Sequence, residues 1–242
     1  MEKIRTLFIS DVHLGSPNSH ASKLLEVFKL YDFENLIIVG DFIDMTALKR
    51  KFFWTQDHST VIQKVLRLSR KDVKVVYIIG NHDFYIRDLI EEGPINIGEI
   101  LMCDEYIYDT IKGEKIYITH GDCFDGFVRL HPFLYFLGDK AYNLSIFINK
   151  YYNKLRKIFG FQYWSLSAYL KTRVKNAIKF ITEYKMMSEA RLKEVKCDSI
   201  LIGHTHSPEI IQGKYYNTGD FCESCSYIIE NLNGDIELRF SK

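Results

Sequence analysis

The sequence predicts an α/β fold built from parallel β-α-β units. Short apolar runs rich in Ile, Val and Tyr are each followed by Gly, Asp or His, a pattern typical of buried strands. Helical patterns follow some of these runs, as over residues 19–31 and 59–70, and such alternation is typical of parallel sheets. The 242 residues include no linker rich in Pro, Gly or Ser, so we expect one domain, residues 1–242, that carries an insertion.

Five strands are predicted, and each leads into a motif whose side chains can bind a metal ion. The strands cover residues 6–10, 35–39, 73–79, 115–119 and 199–202. In the same order, the motifs that follow them are Asp11-Val-His13, Gly40-Asp41, Gly80-Asn81-His82-Asp83, His120-Gly121-Asp122 and Gly203-His204-Thr205-His206. Because ligands gather outside the carboxyl ends of parallel strands, we expect the five motifs to meet at one place.

The motifs contain the side chains that a centre with two divalent cations needs. Such a centre requires a bridging carboxylate and a share of oxygen and imidazole ligands around each cation. The ligand sets that we assign, with Asp41 as the bridge, are Asp11, His13 and His206 for one cation and Asn81, His120 and His204 for the other. Oxygens and imidazoles without thiolates favour manganese, with iron or zinc as alternatives. A single motif has an ordinary structural explanation, but all five together predict hydrolysis of a phosphate ester or anhydride.

Together, these motifs resemble the signature of the calcineurin-like metallophosphoesterases, and the match spans most of the chain. The resemblance implies a two-sheet sandwich flanked by helices (αββα), with a metal-bridging hydroxide as the nucleophile. It also implies that His82 acts on the leaving group, a role that suits an imidazole delivering a proton near neutral pH. Asp83 is expected either to orient His82 or to cap a helix.

The composition predicts a protein of the reducing cytoplasm. Five scattered cysteines, an odd number, argue against a disulfide framework. The pair Cys222 and Cys225 is expected to be structural, since a zinc site would need two further ligands. No apolar stretch approaches the roughly 18 residues of a membrane span. We also expect no signal peptide, because residues 1–10 run straight into the first strand.

Residues 129–196 are expected to form a helical lid between the fourth and fifth motifs, since Gly and Pro are nearly absent after Pro132. This stretch has fourteen Lys or Arg and four Asp or Glu, a net charge of about +10, against about −9 elsewhere. Eleven aromatic residues lie between Phe133 and Trp164. The pattern is typical of a plain helical cap with a solvated basic face, or of a lid that holds an acyl chain and touches anionic lipid. Nucleic acid would be attracted to the same face.

The insertion is also similar to the lid of the UDP-2,3-diacylglucosamine diphosphatases, through Tyr163-Trp164-Ser165-Leu166-Ser167, Lys171 and Lys175-Asn176. The segment 219–225 is similar to a different segment, Gly-Asp-Trp-x-Glu-Ser-Cys, that is common in the same group. This resemblance implies hydrolysis of the pyrophosphate of a UDP-linked acylated sugar in lipid A synthesis, at the periphery of the inner membrane. The substrate contacts that it implies are Asn81, His82, Asp125, Ser167, Lys171, Lys175 and His204. The chain departs from the best-characterised branch of that group in its third motif, where that branch carries Arg and this chain carries His82.

Two alternatives remain open at this point. A phosphodiesterase or nucleotidase acting on soluble nucleotides or nucleic acid would favour an open cleft and would not need an aromatic lid. A non-catalytic scaffold of the same fold, such as the retromer subunit of this superfamily, would be expected to lose ligands or the His of the third motif. Every ligand and His82 are present here, and nucleic acid is not the expected partner.

Overall fold

The structure is a computed structural model that describes residues 1–125, 190–211 and 213–241. The chain divides into two compact units, Met1–Cys123 with Ala190–Lys242, and Phe124–Glu189. Most of the predicted lid, including Ser167, Lys171 and Lys175, lies outside the described residues. The helical lid therefore stays a prediction. Residues 190–196, the end of that predicted segment, belong to the first unit, and residues 190–195 are helical.

The first unit alternates strands and helices over its first ninety residues, as predicted. Its elements in the described part of the chain are β1 (Glu2–Ile9), α1 (Ala21–Leu30), β2 (Tyr31–Val39), α2 (Met45–Arg50), α3 (Gln56–Ser69), β3 (Lys74–Ile78), α4 (Phe84–Arg87), a 3-10 helix (Asp88–Ile90), β4 (Ile95–Ile97), β5 (Ile100–Cys103), β6 (Glu105–Asp109), β7 (Lys115–Thr119), β8 (Ser199–Ile202), β9 (Glu209–Ile211), β10 (Tyr215–Asn217), β11 (Ser226–Glu230) and β12 (Ile236–Phe240).

The strands form two mixed sheets, which confirms the predicted two-sheet architecture. In the described residues, the larger sheet has seven strands in the order β12-β11-β1-β2-β3-β5-β4, and the smaller has five in the order β6-β7-β8-β10-β9. Strands β1, β2, β3 and β5 are parallel, as are β7, β8 and β10. The five predicted strands are divided between the two sheets, so both sheets carry ligand motifs at the carboxyl ends of their strands.

The alternation of side chains along each central strand builds two hydrophobic layers. In β2, Ile37 and Val39 pack with residues of the smaller sheet, while Leu36 and Ile38 pack with residues of α1 and α3. Successive side chains of a strand point to opposite faces, so a strand that is apolar throughout is covered on both. This double cover holds the ends of β1, β2 and β3 firmly at one edge of the larger sheet.

Two element boundaries differ from the prediction for local reasons. The helix predicted over 19–31 is Ala21–Leu30, because the Ser19 hydroxyl donates to the carbonyl of Val12 (2.6 Å) and Tyr31 already pairs with Glu2 in the larger sheet. The helix predicted over 59–70 begins earlier, at Gln56, because Thr55 caps it and accepts a hydrogen bond from the His58 amide (3.3 Å).

All five cysteines are free in the structure. Burial raises the pKa of both the Cys222 and the Cys225 thiol, so each stays protonated at neutral pH. A protonated, partly or fully buried thiol fits the structural role predicted for this pair. Among the helices of the described residues, none combines the length and the apolar character needed to cross a bilayer.

Candidate metal centre

The motifs from both sheets meet at one edge of the first unit, and the connecting loops are bonded to one another. The amide of Asp11 donates to the carbonyl of Gly40 (3.1 Å), and the amide of His13 donates to that of Asp41 (2.9 Å). In the smaller sheet, the amide of Gly203 donates to the carbonyl of His120 (3.1 Å). The larger sheet brings mainly oxygen ligands to the meeting point, and the smaller sheet brings imidazoles.

The Asp41 carboxylate lies in the middle of this group. Its Oδ2 atom is 3.4 Å from Nε2 of His120, 3.8 Å from Nε2 of His13 and 4.0 Å from Nε2 of His82. Its Oδ1 atom accepts a hydrogen bond from the amide of His82 (2.7 Å). One oxygen is therefore fixed by the backbone, and the other faces three imidazoles that belong to three different loops.

The two oxygens of the Asp11 carboxylate also have different partners. Its Oδ2 atom accepts hydrogen bonds from the Ser10 hydroxyl (2.5 Å) and the amide of His204 (3.0 Å). Its Oδ1 atom lies 3.2 Å from Nε2 of His206 and 3.8 Å from Nε2 of His13. The oxygen that has no backbone or hydroxyl partner is thus presented to the imidazoles.

On the other side of Asp41, His120 is held by the core of the protein. Its Nδ1 donates to the carbonyl of Val39 (2.9 Å), which leaves Nε2 unprotonated in the neutral ring and able to bind a cation. That Nε2 atom is 3.1 Å from Oδ1 of Asn81, and the His204 ring lies with its centre 5.0 Å from the centre of the His120 ring. Asn81, His120 and His204 therefore form a second group beside the first.

Asp44 orients two of the imidazoles, and the sequence analysis missed it. Its Oδ2 atom is 3.2 Å from Nδ1 of His13, and its Oδ1 atom is 2.9 Å from Nδ1 of His82. Oδ1 also accepts from the amide of Ala47 (2.7 Å), so Asp44 caps α2 at the same time. An acid three residues after Asp41 was the available signal, but capping a helix explained it equally well.

The structure corrects the expectation that Asp83 orients His82. The Asp83 carboxylate is fully buried and accepts hydrogen bonds from the amides of Gly80 (3.1 Å), Phe42 (3.3 Å) and Ile43 (3.0 Å). Its side chain does not cap α4 either, although Asp83 stands at the N-cap position. It ties the second motif to the third, because a buried carboxylate needs several donors and the backbone amides of both loops point at it.

Asp220 is the second residue near the site that the sequence analysis did not assign to it, although it lies in the segment 219–225 noted there. Its Oδ2 atom lies 4.0 Å from Nδ1 of His206. Its carboxylate accepts from the amides of Cys222 (2.7 Å) and Glu223 and from the Ser224 hydroxyl (2.8 Å). Asp220 thus lies on the Nδ1 side of the His206 ring, as Asp44 lies on the Nδ1 side of the His13 ring. In both rings the other nitrogen, Nε2, faces Asp11.

The ligand loops adopt backbone conformations that most residues avoid. Asp11, His13, Asp41, His204 and His206 all have φ between 49° and 62°, a left-handed region that Asp and His tolerate better than most other side chains. Close packing adds a further constraint, since a β-carbon at Gly80 would overlap the Asp41 carboxylate. These conformations turn the side chains of neighbouring loops toward a common point.

The donor set fits divalent cations. Asp11 Oδ1 and His13 Nε2 are buried and have no hydrogen-bond partner among the described residues. Ligand atoms lie within 4.8 Å of one another in three overlapping groups: Asp11, His13 and His206; His13, Asp41 and His82; and Asp11, Asp41 and His120. Buried polar atoms without partners are costly unless a ligand satisfies them, and these atoms face a space surrounded by oxygens and imidazole nitrogens.

The electrostatics of the centre also favour added positive charge. Burial raises the pKa of Asp11 and Asp41, but the surrounding imidazoles outweigh burial and hold both carboxyls well below their usual pKa. Burial conversely lowers the pKa of His120, but Asp41 outweighs it and raises that pKa to about 10. Asp11 raises the pKa of His206 to about 9 in the same way, against the effect of burial. Cations that replace these protons would meet two ionised carboxylates.

The predicted site residues thus separate by location. Those that the structure brings together are Asp11, His13, Asp41, Asn81, His82, His120, His204 and His206. Asp83 lies behind them and supports the loops. Asp125 belongs to the second unit, so its contact with a substrate stays a prediction.

Comparison with known proteins finds a matching family model, relatives with a shared name and solved structures. A family model described as calcineurin-like phosphoesterase matches residues 4–208. A protein of Histophilus somni named UDP-2,3-diacylglucosamine hydrolase is 26% identical over 95% of this chain and 97% of its own length. A protein of Aeromonas salmonicida with the same name is 25% identical over 85% of this chain and 78% of its own. A solved archaeal phosphodiesterase aligns over 97% of this chain and 98% of its own, with 16% identity and a TM-score of 0.44.

Proposed function

This chain belongs to the calcineurin-like phosphoesterase family, and from that premise we propose that it hydrolyses the pyrophosphate bond of UDP-2,3-diacylglucosamine. The family and the cluster of ligand atoms make it a metal-dependent hydrolase. The observation that carries the substrate proposal is the alignment with a relative of that name across 95% of this chain, which reaches beyond the metal centre. The products are UMP and 2,3-diacylglucosamine 1-phosphate, as in lipid A biosynthesis.

The ligand assignment that we propose is the one drawn from the sequence. Asp11, His13 and His206 would hold one cation, Asn81, His120 and His204 would hold the other, and Asp41 would serve both; manganese is the preferred metal, with iron or zinc as alternatives. The position of Asp41 Oδ2, 3.4 Å from His120 and 3.8 Å from His13, supports the bridge. When bound, two such cations supply an activated water and neutralise the charge that develops on phosphorus.

His82 is proposed to give a proton to the departing oxygen. Its side chain is 32% exposed, unlike that of His120, which is fully buried, so it reaches the open side of the centre. The hydrogen bond that His82 donates to Asp44 outweighs burial and raises the pKa of His82, which favours the protonated imidazole that a general acid requires. Asp44 acts as a positioning residue, because it holds His82 and His13 in one orientation through its two oxygens.

The basic, aromatic stretch of 129–196 supports a lipid-linked substrate and a location in the cytoplasm at the inner membrane. Its net charge of about +10 would attract anionic headgroups, and each acyl methylene that it buried would contribute about 0.8 kcal/mol. In this proposal Ser167, Lys171, Lys175 and Asp125 contact the substrate, together with Asn81, His82 and His204.

An activity screen tests the substrate directly. UDP-2,3-diacylglucosamine, its deacylated form, and cyclic and linear nucleotides are compared at equal concentration with Mn²⁺. We expect the acylated substrate to have by far the highest kcat/KM. The double variant Lys171→Ala and Lys175→Ala should lose this preference, whereas Lys3→Ala with Lys29→Ala, which removes the same charge from the first unit, should retain it. Equal turnover of acylated and deacylated UDP-sugars would instead favour a hydrolase of soluble nucleotides.

A further inference from the structure

A cavity of about 520 Å³ opens beside the metal centre, and the described residues that line it all belong to the first unit. The imidazoles of His13 and His206 form part of its lining. One wall comes from the segment that joins β1 to α1 and includes Asn18 and His20, and the other comes from the segment before β11 and includes Cys222 and Glu223. A substrate whose phosphate reached the cations would therefore have room for one of its substituents here.

The two walls are joined by backbone hydrogen bonds, so the cavity has a defined shape. The amide of His20 donates to the carbonyl of Phe221 (2.8 Å), and the amide of Phe221 donates to the carbonyl of Asp11 (3.0 Å). Asp220 fixes the second wall from behind, because it accepts from the amides of Cys222 and Glu223. The cavity walls are thereby connected to the ligand loops, and a group bound between them would be placed relative to the cations.

The chemistry of the walls selects an uncharged polar group. Among the described residues that line the cavity, none is Lys or Arg, none has a benzene ring, and Pro17 is the one purely aliphatic side chain. Pro17 and Cys222 offer only a small apolar surface to an acyl chain, and a second phosphate would meet the carboxylates of Asp44 and Glu223 with no Lys or Arg among the described lining residues. The Asn18 amide offers a donor and an acceptor together, and the Glu223 carboxylate accepts from hydroxyl groups.

We propose that this cavity binds the nucleoside of the nucleotide substrate, with Glu223 accepting hydrogen bonds from the ribose hydroxyls and Asn18 pairing with the edge of the pyrimidine. This inference rests on the proposed function, since it assigns the polar half of a UDP-linked substrate to the polar cavity. A carboxylate that accepts from vicinal hydroxyls and an amide that matches a carbonyl next to an N–H make Glu223 and Asn18 determinants of specificity.

Competitive inhibition of the hydrolysis of an aryl phosphodiester tests the cavity without the lipid substrate. Inorganic phosphate, ribose 5-phosphate and UMP are compared as inhibitors of the Mn²⁺-loaded protein, so that the ribose and the base are added one at a time. Affinity is expected to rise at each addition. Glu223→Gln should remove most of the gain from phosphate to ribose 5-phosphate, and Asn18→Ala most of the gain from ribose 5-phosphate to UMP, each by about tenfold.

Matched controls and a second readout separate the possible results. Glu91→Gln and Asn96→Ala make the same chemical changes at exposed positions near β4, at the far edge of the larger sheet, and should leave all three inhibition constants unchanged. Equal inhibition of the wild-type protein by phosphate and UMP, or an equal change for all three inhibitors in the variants, would overturn the proposal. If UMP inhibition follows the expected pattern but UDP-2,3-diacylglucosamine is not hydrolysed, the nucleoside site stands and the proposed lipid substrate fails.

Discussion

Two clusters of buried polar side chains bridge the two sheets, and they differ in how completely they are satisfied. In one, Glu230 of β11 accepts from the Tyr108 hydroxyl of β6, the amide of Ile111 (2.8 Å) and the Arg5 guanidinium (3.3 Å). In the other, the metal centre, Asp11 Oδ1 and His13 Nε2 have no hydrogen-bond partner in the described residues. Both clusters contain fully buried carboxylates, since Glu230 and Asp11 are each 0% exposed.

This difference separates a structural cluster from a functional one. A buried carboxylate is costly unless hydrogen-bond donors or positive charges surround it, and the protein itself supplies these groups to Glu230. Asp11 and Asp41 have imidazoles around them but retain oxygens that face open space, which a cation would fill. Burial of charge alone therefore does not mark a site, whereas buried carboxylate and imidazole atoms that lack hydrogen-bond partners and face the same space do. Changes in the first cluster should affect stability, and changes in the second should affect chemistry.

Asp41→Ala is expected to have the largest effect. It removes the carboxylate that faces His13, His82 and His120, so both cations and essentially all hydrolysis should be lost while the fold is retained. Metal analysis, an activity assay and circular dichroism check this, with Asp32→Ala, at an exposed position of β2, as the control. Retention of two ions by Asp41→Ala would refute the bridging role.

His82→Ala is expected to lower turnover by roughly 10²- to 10⁴-fold, the usual range for loss of a general acid. Metal content should change little, because His82 is not assigned as a ligand. The loss should be smaller for aryl phosphate esters whose leaving groups need no proton. An equal loss with good and poor leaving groups would indicate that His82 positions the substrate instead.

Asp44→Asn is expected to lower metal affinity or turnover by about 10- to 100-fold, as is usual for residues that orient metal ligands. The Asp44 carboxylate raises the pKa of His82, so its loss should lower that pKa. Because a general acid must be protonated, the basic limb of the pH profile of kcat/KM should move to lower pH. If the basic limb does not move, Asp44 acts on His13 alone. Asp32→Asn, which removes the same charge at an exposed position, is the control.

Tyr108→Phe tests the structural cluster and should have the smallest effect on chemistry. Loss of the hydroxyl leaves the buried Glu230 with one donor fewer, so the free energy of unfolding should fall by about 1–3 kcal/mol, with activity and metal content unchanged. Tyr106→Phe on the same strand removes a hydroxyl that accepts from Lys74 near the surface (2.7 Å) and should change stability by less than about 0.5 kcal/mol. A larger effect of Tyr108→Phe on activity than on stability would contradict the division between the clusters.

The strands and the ligand motifs could be predicted because both depend on local sequence. Strands β7 and β8 have the predicted bounds, since each is a short apolar run between polar residues. Strand β2 begins four residues before its predicted start at Asn35, because Tyr31 and Phe33 are buried and alternate with the exposed Asp32 and Glu34. A search for continuous apolar runs overlooks a strand that is covered on only one face at its start.

The residues that support the ligands could not be predicted in the same way. Asp44 meets His82, thirty-eight positions away, and Asp83 meets the amides of Phe42 and Ile43, about forty positions away. Capping a helix is the local explanation for both acids, and it is incomplete for Asp44 and wrong for Asp83. Their functions are set by the register between β2 and β3, which the sequence does not display.

The left-handed conformations of the ligand loops have a consequence for the lifetime of the protein. Five such residues at about 1–3 kcal/mol each approach the entire net stability of a typical domain, about 5–15 kcal/mol. Without bound cations, these loops are where the native state should open most readily, with fast amide hydrogen exchange and exposure to proteases. Cations that bind only the closed loops would slow that opening by mass action. Metal supply would then govern how long each molecule survives, in addition to whether it is active.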